Sequence, residues 1–173
     1  MSKIIVPPLS RRIIESFAEK VRTCLGLEDR MCIPILHVAE CIIPQIDETF
    51  VFSVCEPHEL QYEYAKYSPE TNELTVRSDV YELAYAGNAR QRFTISHELG
   101  HYFLHQDVSS FSRCPESIEV PSYMDAEWQA NVFASAFLAP ARLVRGMTPS
   151  EISDKCGISM QAAEISLKNS KRG

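Results

Sequence analysis

Apolar residues recur at helical spacing along much of the chain, and the stretch from residue 93 to residue 105 shows the clearest division into two faces. Ile95, Leu99 and Phe103 fall on one arc of a helix drawn at about 100° per residue, which is typical of a buried face. The opposite arc is polar. Gly100 lies beside that polar stripe, and because glycine costs about 1 kcal/mol against alanine in a helix, it indicates a functional or packing requirement.

The same spacing, with capping residues and prolines as boundaries, predicts the remaining helices. They cover residues 10–25, 34–42, 78–87 and 125–138, followed by a short helical hairpin at 148–168. We expect the second of these helices to begin at Pro34 and to end before Pro44. Runs of β-branched and aromatic residues predict strands at 49–55, 62–67 and 73–77, the last two joined as an antiparallel hairpin.

These elements predict an α+β fold, in which a small antiparallel or mixed sheet lies beside the 93–105 helix and further helices surround it. We expect one domain over residues 1–147, with the hairpin at 148–173 packed on it. That hairpin resembles a helix-turn-helix, but its second helix offers Gln161 and Glu164 rather than basic side chains. A packing or partner-docking role is therefore favoured over DNA binding.

Charge and cysteine usage narrow the setting of the protein. The net charge of −6 argues against a general nucleic-acid-binding or anionic-membrane surface. The six cysteines form no C-x-x-C pair and follow no signal peptide, and no apolar run approaches the roughly 18 residues of a membrane span. We therefore expect a cytoplasmic protein whose cysteines are reduced core residues.

The polar face of the 93–105 helix carries His97-Glu98-x-x-His101. Histidines four residues apart lie about 40° apart on neighbouring turns, with Cβ atoms roughly 5–6 Å apart, so they can share one metal ion. Glu98 lies about 60° from His101, within reach of a water molecule at that metal. The alternative is that ordinary polar helix residues match this spacing by accident.

A second carboxylate stands on the helix predicted at 125–138. Glu127 has Ala130 and Ala134 beside it, and alanines at that spacing let a neighbouring helix come close. A lone glutamate among small residues on an apolar helix is costly to ionise unless it meets a cation, so we predict that Glu127 is the third metal ligand. A solvated carboxylate in the first helical turn is the alternative.

Two imidazoles and one carboxylate are the ligand set of a catalytic Zn²⁺, although Mn²⁺, Fe²⁺ or Co²⁺ can bind the same donors. Glu98 is then the candidate general base, and Asn131 is a candidate partner that steadies a histidine ring or the carboxylate of Glu127. The longer metzincin motif is absent, because Leu104 and Asp107 stand where it needs a glycine and a third histidine.

His105 follows one turn after His101, on the same side of the helix as Glu98. It can line a cleft, assist an oxyanion or cap the C-terminus of the helix. The candidates for the oxyanion-stabilising group are His105, Arg92, Tyr123 and the tyrosines of the predicted strands. We expect the stretch from 106 to 123 to border the cleft, because so long a loop is usually functional.

Two runs carry a family resemblance: Arg92-Phe-Thr-Ile-Ser-His-Glu-Leu-Gly-His-Tyr-Phe-Leu-His105 and Glu127-Trp-Gln-Ala-Asn-Val-Phe-Ala-Ser-Ala-Phe-Leu-Ala-Pro140. Together they resemble the ImmA/IrrE family of metallo-endopeptidases, over residues 60 to 168. The resemblance implies a gluzincin-like, that is zincin-like, domain with a small sheet beside the metal helix. The chain has Ala139 where family members commonly have methionine.

The resemblance also implies roles for individual residues. His97, His101 and Glu127 would bind zinc, and Glu98 would be the catalytic acid/base. It implies a bacterial, phage or mobile-element setting, in which the substrate is often a helix-turn-helix repressor.

The leading hypothesis is a zinc-dependent endopeptidase that cleaves a specific cytosolic protein, with a transcriptional repressor as the expected substrate. The alternative is a regulatory or toxin–antitoxin-type binding protein whose metal site is not used in catalysis. Replacing Glu98 separates the two hypotheses, because only the first requires its carboxylate.

Overall fold

The computed structural model describes residues 3–106, 112–114 and 120–170. The strands are β1 (Lys3–Ile5), β2 (Val51–Cys55), β3 (Ala65–Ser68), β4 (Glu73–Arg77) and β5 (Ser112–Cys114). The helices are α1 (Arg11–Cys24), α2 (Ile35–His37), α3 (Ile43–Ile46), α4 (Ser78–Tyr85), α5 (Ala89–His105), α6 (Ala126–Leu138), α7 (Ala141–Val144), α8 (Pro149–Cys156) and α9 (Met160–Ser170). A π-helical turn, Val38–Ile42, joins α2 to α3, and a 3-10 helix, Ser122–Met124, precedes α6. The predicted α+β class is confirmed.

The central sheet has the strand order β2-β4-β3. β2 runs parallel to β4 and β3 runs antiparallel to it, so the sheet is mixed and the predicted hairpin is confirmed. Asn72 makes the hairpin turn with a left-handed φ of 49°, which asparagine tolerates better than most residues. β3 is an edge strand and packs against α5, which places it beside the polar face of that helix.

The strand predicted from Tyr62 begins later, at Ala65, so its predicted start was wrong. β4 ends at Arg77, whose backbone N–H donates to the carbonyl of Tyr64, and the chain then enters α4. Residues before Tyr64 therefore have no strand opposite them in the described part of the chain. The side chain of Tyr62 is 97% exposed.

The helix predicted from Pro34 continues past Pro44 to Ile46, so its predicted end was wrong. The backbone N–H of Ile43 donates to the carbonyl of Val38, five residues earlier. In an uninterrupted α-helix a proline lacks its hydrogen bond and clashes with the carbonyl four residues back. The wider π turn directly before Pro44 changes the register, and this is how the helical path continues.

A short antiparallel pair, β1 with β5, was not predicted. Three-residue strands are too short to show alternation in a sequence. Most of the stretch predicted as a long loop lies outside the described residues. Its expected position beside the cleft stays a prediction.

The core forms where α5 lies between α6 and the sheet, with α1 on the outer side of α6. Ile95 and Leu99 of α5 are fully buried, as the apolar arc predicts. On α6, the rings of Phe133 and Phe137 stack at 5.5 Å between centroids. The polar face of α5 is thereby turned to the side where β3 and the start of α6 meet.

The C-terminal hairpin, α8 and α9, turns at Gly157, which has a left-handed φ of 65°. Arg92 of α5 is buried and donates to the carbonyls of Gly157 and Ile33. Its guanidinium therefore links the hairpin turn to the N-terminal part of α5. The predicted division of the chain after residue 147 stays a prediction.

The cysteines depart from the expected core positions. Of those whose side chains the structure describes, Cys156 is buried, Cys41 and Cys55 are half-buried, and Cys24 and Cys32 are exposed. The expectation of core cysteines is therefore wrong for most of them.

Within the described ranges, the helices are all too short or too polar to cross a lipid bilayer.

Candidate metal centre

Helix α5 positions the first two candidate ligands. It begins earlier than the motif suggested, at Ala89, because the side chain of Asn88 caps it by accepting from the backbone N–H groups of residues 90 and 91. From that start the helix runs unbroken through His97 and His101, which fixes them on neighbouring turns of one face.

Helix α6 positions the third candidate ligand, Glu127. Its N-cap Asp125 accepts from the backbone N–H of Glu127, so the glutamate stands in the first helical turn. The two helices approach closely at Gly100: a Cβ added there would lie 3.0 Å from the carbonyl oxygen of Ala130 and 3.3 Å from its Cβ. The glycine therefore has the packing reason that its position in the helix suggested, and it sets the distance between α5 and Glu127.

The donor atoms of the three side chains converge. The Nε2 atoms of His97 and His101 are 3.1 Å apart. The carboxylate of Glu127 approaches these atoms with one oxygen each, at 3.2 Å from His97 and 3.3 Å from His101. Tetrahedral zinc with bonds of about 2.0–2.1 Å places its ligand atoms about 3.3–3.4 Å apart, so the observed spacings of the three donors fit a zinc ion.

Each histidine has a partner at its other ring nitrogen. The Nδ1 atom of His97 lies 3.1 Å from Oδ1 of Asn131, an exposed residue one turn after Glu127 on α6. The Nδ1 atom of His101 lies 3.1 Å from Nδ1 of His105, whose ring is buried. Such partners hold the ring plane and the tautomer of a metal-binding imidazole.

The electrostatics of the site follow from these contacts. The hydrogen bonds from His101 and His97 lower the pKa of Glu127, so the carboxylate stays ionised and anionic. Burial alone would lower the pKa of His97, but the hydrogen bond to Glu127 and the charge of Glu98 outweigh it and raise the pKa. Burial lowers the pKa of His105 to about 4, so this ring is neutral at neutral pH.

Glu98 lies beside the three donors and is held differently. Its Oε2 accepts a hydrogen bond of 2.8 Å from the backbone N–H of Tyr67 in β3. Burial raises the pKa of Glu98, although the nearby histidines act in the opposite direction. A carboxylate with a raised pKa, held beside a candidate metal site, is suited to proton transfer.

These groups line one cleft, with a volume of about 600 Å³, between β3 and the start of α6. Residues 63 to 70, including Tyr64 and Lys66, form one wall, and His97, Glu98 and Glu127 lie at its floor and opposite side. The sequence motif and the cleft therefore coincide.

Comparison with known proteins places the chain in a family. The profile of a peptidase family described as the IrrE N-terminal-like domain matches residues 58–168. The chain belongs to this family. The match confirms the resemblance to the ImmA/IrrE family and supports the coarse class, a metallopeptidase of the IrrE/ImmA type. No curated protein is significantly similar to the chain in sequence.

A solved structure shows the same fold. The chain superposes on a "Mycobacterium tuberculosis transcriptional regulator" with a TM-score of 0.60 at 20% sequence identity. The alignment covers 87% of this chain and 44% of that protein, so the chain spans less than half of the regulator's length.

Within this IrrE-type domain, the structure brings together His97, His101, Glu127 and Glu98, with Asn131 and His105 behind the two histidines. Of the candidates for the oxyanion-stabilising group, Tyr64 and Tyr67 line the cleft. Arg92 contacts the hairpin turn instead of the cleft.

Sequence reasoning missed the roles of three further residues around the site. Tyr67 contributes a backbone N–H, which any residue except proline has, so no side-chain pattern can reveal it. Gln129 accepts from His105, and Asp47 joins the hairpin turn to α5 through Tyr102. For Gln129 alone there was a usable signal, an amide on an otherwise apolar helix face.

Proposed function

We propose that this protein is a zinc-dependent endopeptidase that cleaves a specific protein in the cytoplasm. The observation that carries the proposal is the set of three donors at tetrahedral spacing with Glu98 beside them. Two neutral imidazoles and a carboxylate form the donor set of catalytic zinc sites, which leave one position open. Glu98 is the catalytic residue of the proposal.

A divalent metal held by His97, His101 and Glu127 would polarise the scissile carbonyl and make water more acidic. Glu98 accepts the proton of the attacking water and then delivers it to the departing amine. The backbone N–H of Tyr67 keeps one oxygen of Glu98 fixed, which leaves the other oxygen for this transfer. The burial that raises the pKa of Glu98 makes the carboxylate a stronger base.

The edge strand β3 supports an extended peptide as substrate. Its partner on one side is β4, and in the described part of the chain no strand lies on its other side. The N–H of Tyr67 points from that free side towards Glu98, so this edge faces the candidate active site. An extended segment can add to such an edge through backbone hydrogen bonds.

A helix-turn-helix transcriptional repressor is our candidate substrate. The ImmA/IrrE family membership supports this class, and the likeness in fold to a transcriptional regulator is consistent with it. Direct DNA binding is not part of the proposal, because the chain has a net charge of −6.

The test incubates zinc-loaded protein with a repressor encoded beside its gene and follows cleavage by mass spectrometry. Glu98→Gln removes the base but keeps the size of the side chain, so we expect zinc to stay bound and cleavage to fall by about 10²–10⁴-fold. Glu82→Gln, on the exposed side of α4, is the matched control and should cleave like wild type. Cleavage by metal-free protein, or undiminished cleavage by Glu98→Gln, would contradict the proposal.

The alternative is a regulatory or toxin–antitoxin-type protein with an idle metal site. It is favoured by the likeness in fold to a protein described as a transcriptional regulator rather than as a peptidase. It predicts that Glu98→Gln leaves the biological output intact. A reporter for the repressor's target gene, measured with wild type and with Glu98→Gln, separates the two functions.

A further inference from the structure

A buried row of side chains runs from the back of His101 into the interior. Nδ1 of His101 lies 3.1 Å from Nδ1 of His105, and Nε2 of His105 lies 3.0 Å from Oε1 of Gln129. His105 is 1% exposed and Gln129 is fully buried. Water has no access to His105 and Gln129, so these two side chains must find their hydrogen-bond partners within the protein.

The amide of Gln129 has one possible orientation. Its Nε2 donates to the carbonyl of Pro7 at 2.9 Å and to the carbonyl of Tyr123 at 2.8 Å. Both partners are acceptors only, so the NH₂ group must face them and Oε1 must face His105. The amide is therefore anchored by the N-terminal segment on one side and by the 3-10 helix before α6 on the other.

This orientation fixes the protons along the row. Because Oε1 of Gln129 can only accept, Nε2 of His105 carries the hydrogen and donates it. In a neutral imidazole the other nitrogen then accepts, so Nδ1 of His105 receives a hydrogen from Nδ1 of His101. The lone pair of His101 is left on Nε2, the atom that faces His97 and Glu127.

We propose that His105 and Gln129 are positioning residues, which fix the tautomer and the ring plane of His101 for metal binding and link that ligand to the N-terminal segment. The proposal rests on the metal site of the proposed function but not on peptidase activity. It also predicts an asymmetry. Asn131, behind His97, is exposed, and water can replace its oxygen, whereas nothing can replace the buried ring of His105.

The first test measures the zinc dissociation constant by competition with a chromophoric chelator. His105→Phe keeps a ring but removes the acceptor, and we expect zinc binding to weaken by about 10–100-fold. His105→Gln restores an acceptor for His101 and a donor for Gln129, so it should recover most of the loss. A merely structural role predicts the reverse order, because phenylalanine fills the buried space better than glutamine does.

Gln129→Leu removes the acceptor at the far end of the row and should weaken zinc binding less than His105→Phe does. The double variant should lose no more zinc affinity than His105→Phe alone. Gln161→Leu, on the exposed face of α9, is the matched control and should bind like wild type. Melting temperatures identify any variant that fails to fold, in which case the remaining variants carry the comparison. Wild-type zinc affinity in folded His105→Phe would overturn the proposal.

The second test does not need zinc. Long-range ¹H–¹⁵N spectra of the metal-free protein at neutral pH should show His105 with its hydrogen on Nε2, and Gln129→Leu should lose this preference. A hydrogen on Nδ1 of His105 in the wild type would overturn the proposal even if the enzyme cleaves its substrate. Conversely, the expected tautomer and zinc affinities without any cleavage would contradict the proposed function alone.

Discussion

The cleft has a β3 wall, formed by residues 63 to 70, and an α6 wall, which carries Glu127. The two walls hold their functional groups by different means. On the α6 wall, Glu127 reaches the histidines because Gly100 and Ala130 let two helices pass at close distance. On the β3 wall, Glu98 is held by the backbone N–H of Tyr67. The geometry of the candidate metal ligands thus depends on small residues at a helix crossing, and the candidate proton-transfer group depends on the position of a strand.

The β3 wall has its own support. The hydroxyl of Tyr67 donates to Oδ1 of Asn72 at 2.9 Å, and Nδ2 of Asn72 donates to Oδ2 of Asp47 at 2.9 Å. The hydroxyl of Tyr102, on α5, donates to the same oxygen of Asp47 at 3.0 Å. Asp47 therefore ties the hairpin to the metal helix, and it sets where the N–H of Tyr67 meets Glu98. Changes on one wall should affect metal binding, and changes on the other should affect catalysis.

The largest effect is expected from Gly100→Val, which breaks the α6 wall. The added side chain would meet the backbone of Ala130, so the helices must move apart and Glu127 moves with them. We expect stability to fall by about 1–3 kcal/mol and zinc binding to weaken far more than it does in any variant behind the ligands. Urea unfolding and chelator competition measure the two effects.

Ser96→Ala, one turn earlier on α5, is the control for Gly100→Val. Ser96 is fully buried and its hydroxyl has no hydrogen-bond partner among the described residues, so its removal should cost little. If Gly100→Val binds zinc as tightly as Ser96→Ala does, the helix crossing does not set the ligand geometry.

The next effect concerns the β3 wall. Burial and the hydrogen bond to Asp47 raise the pKa of Tyr102, so its hydroxyl stays protonated and donates. Tyr102→Phe should cost about 1–3 kcal/mol of stability and lower kcat, because β3 is less well fixed over Glu98. Zinc affinity should not change. Tyr85→Phe, on an exposed ring of α4, is the control, and a loss of zinc affinity in Tyr102→Phe would show that the two walls are not independent.

A smaller effect on the α6 wall is expected from Asn131→Leu, which removes the exposed partner of His97. Zinc binding should weaken by about tenfold or less, because water can take the place of the amide oxygen. This is the low end of the loss expected when a hydrogen-bond partner of a metal-binding histidine is removed. Isothermal titration with zinc in the presence of a competing chelator measures this difference. A loss larger than that of His105→Phe would reverse the proposed ranking of the two supports.

The smallest effect is a pH dependence. Hydrogen bonds from Thr49 and then Asn72 lower the pKa of Asp47 to about 2. Because this pKa lies below the unfolded value of about 4, the charge of Asp47 stabilises the fold above pH 4, and that contribution is lost as the pH falls through about 2. Asp47→Asn should therefore be less stable than wild type at pH 6, with a difference that shrinks towards pH 2. A constant difference in unfolding free energy across this range would contradict the assignment.

The sequence revealed the candidate ligands and Glu98 better than it revealed the contacts of the β3 wall, and the reason is physical. A helix places residues by number alone, so His97, Glu98 and His101 could be assigned to one face, and Gly100 could be given a packing role. Glu127 could be placed opposite them because the sequence of its helix shows small residues, Ala130 and Ala134, beside it.

The rest depends on contacts between segments that are distant in the chain. The N–H of Tyr67 has no side-chain signature, and the link from Asp47 to Tyr102 joins residues 55 positions apart. The same holds for Gln129, whose amide meets a carbonyl of the N-terminal segment. The end of the second helix was wrong because a π turn can carry a helix past Pro44, which local rules do not anticipate.

The most direct test of the central claim compares two isosteric changes, Glu127→Gln and Glu98→Gln, by their zinc dissociation constants. Glu127 is assigned as a ligand, so its change should weaken binding by more than about 100-fold, beyond what loss of a supporting partner costs. Glu98 is assigned to proton transfer, so its change should leave zinc affinity close to wild type. Equal affinities in the two variants, or a greater loss in Glu98→Gln, would contradict the account.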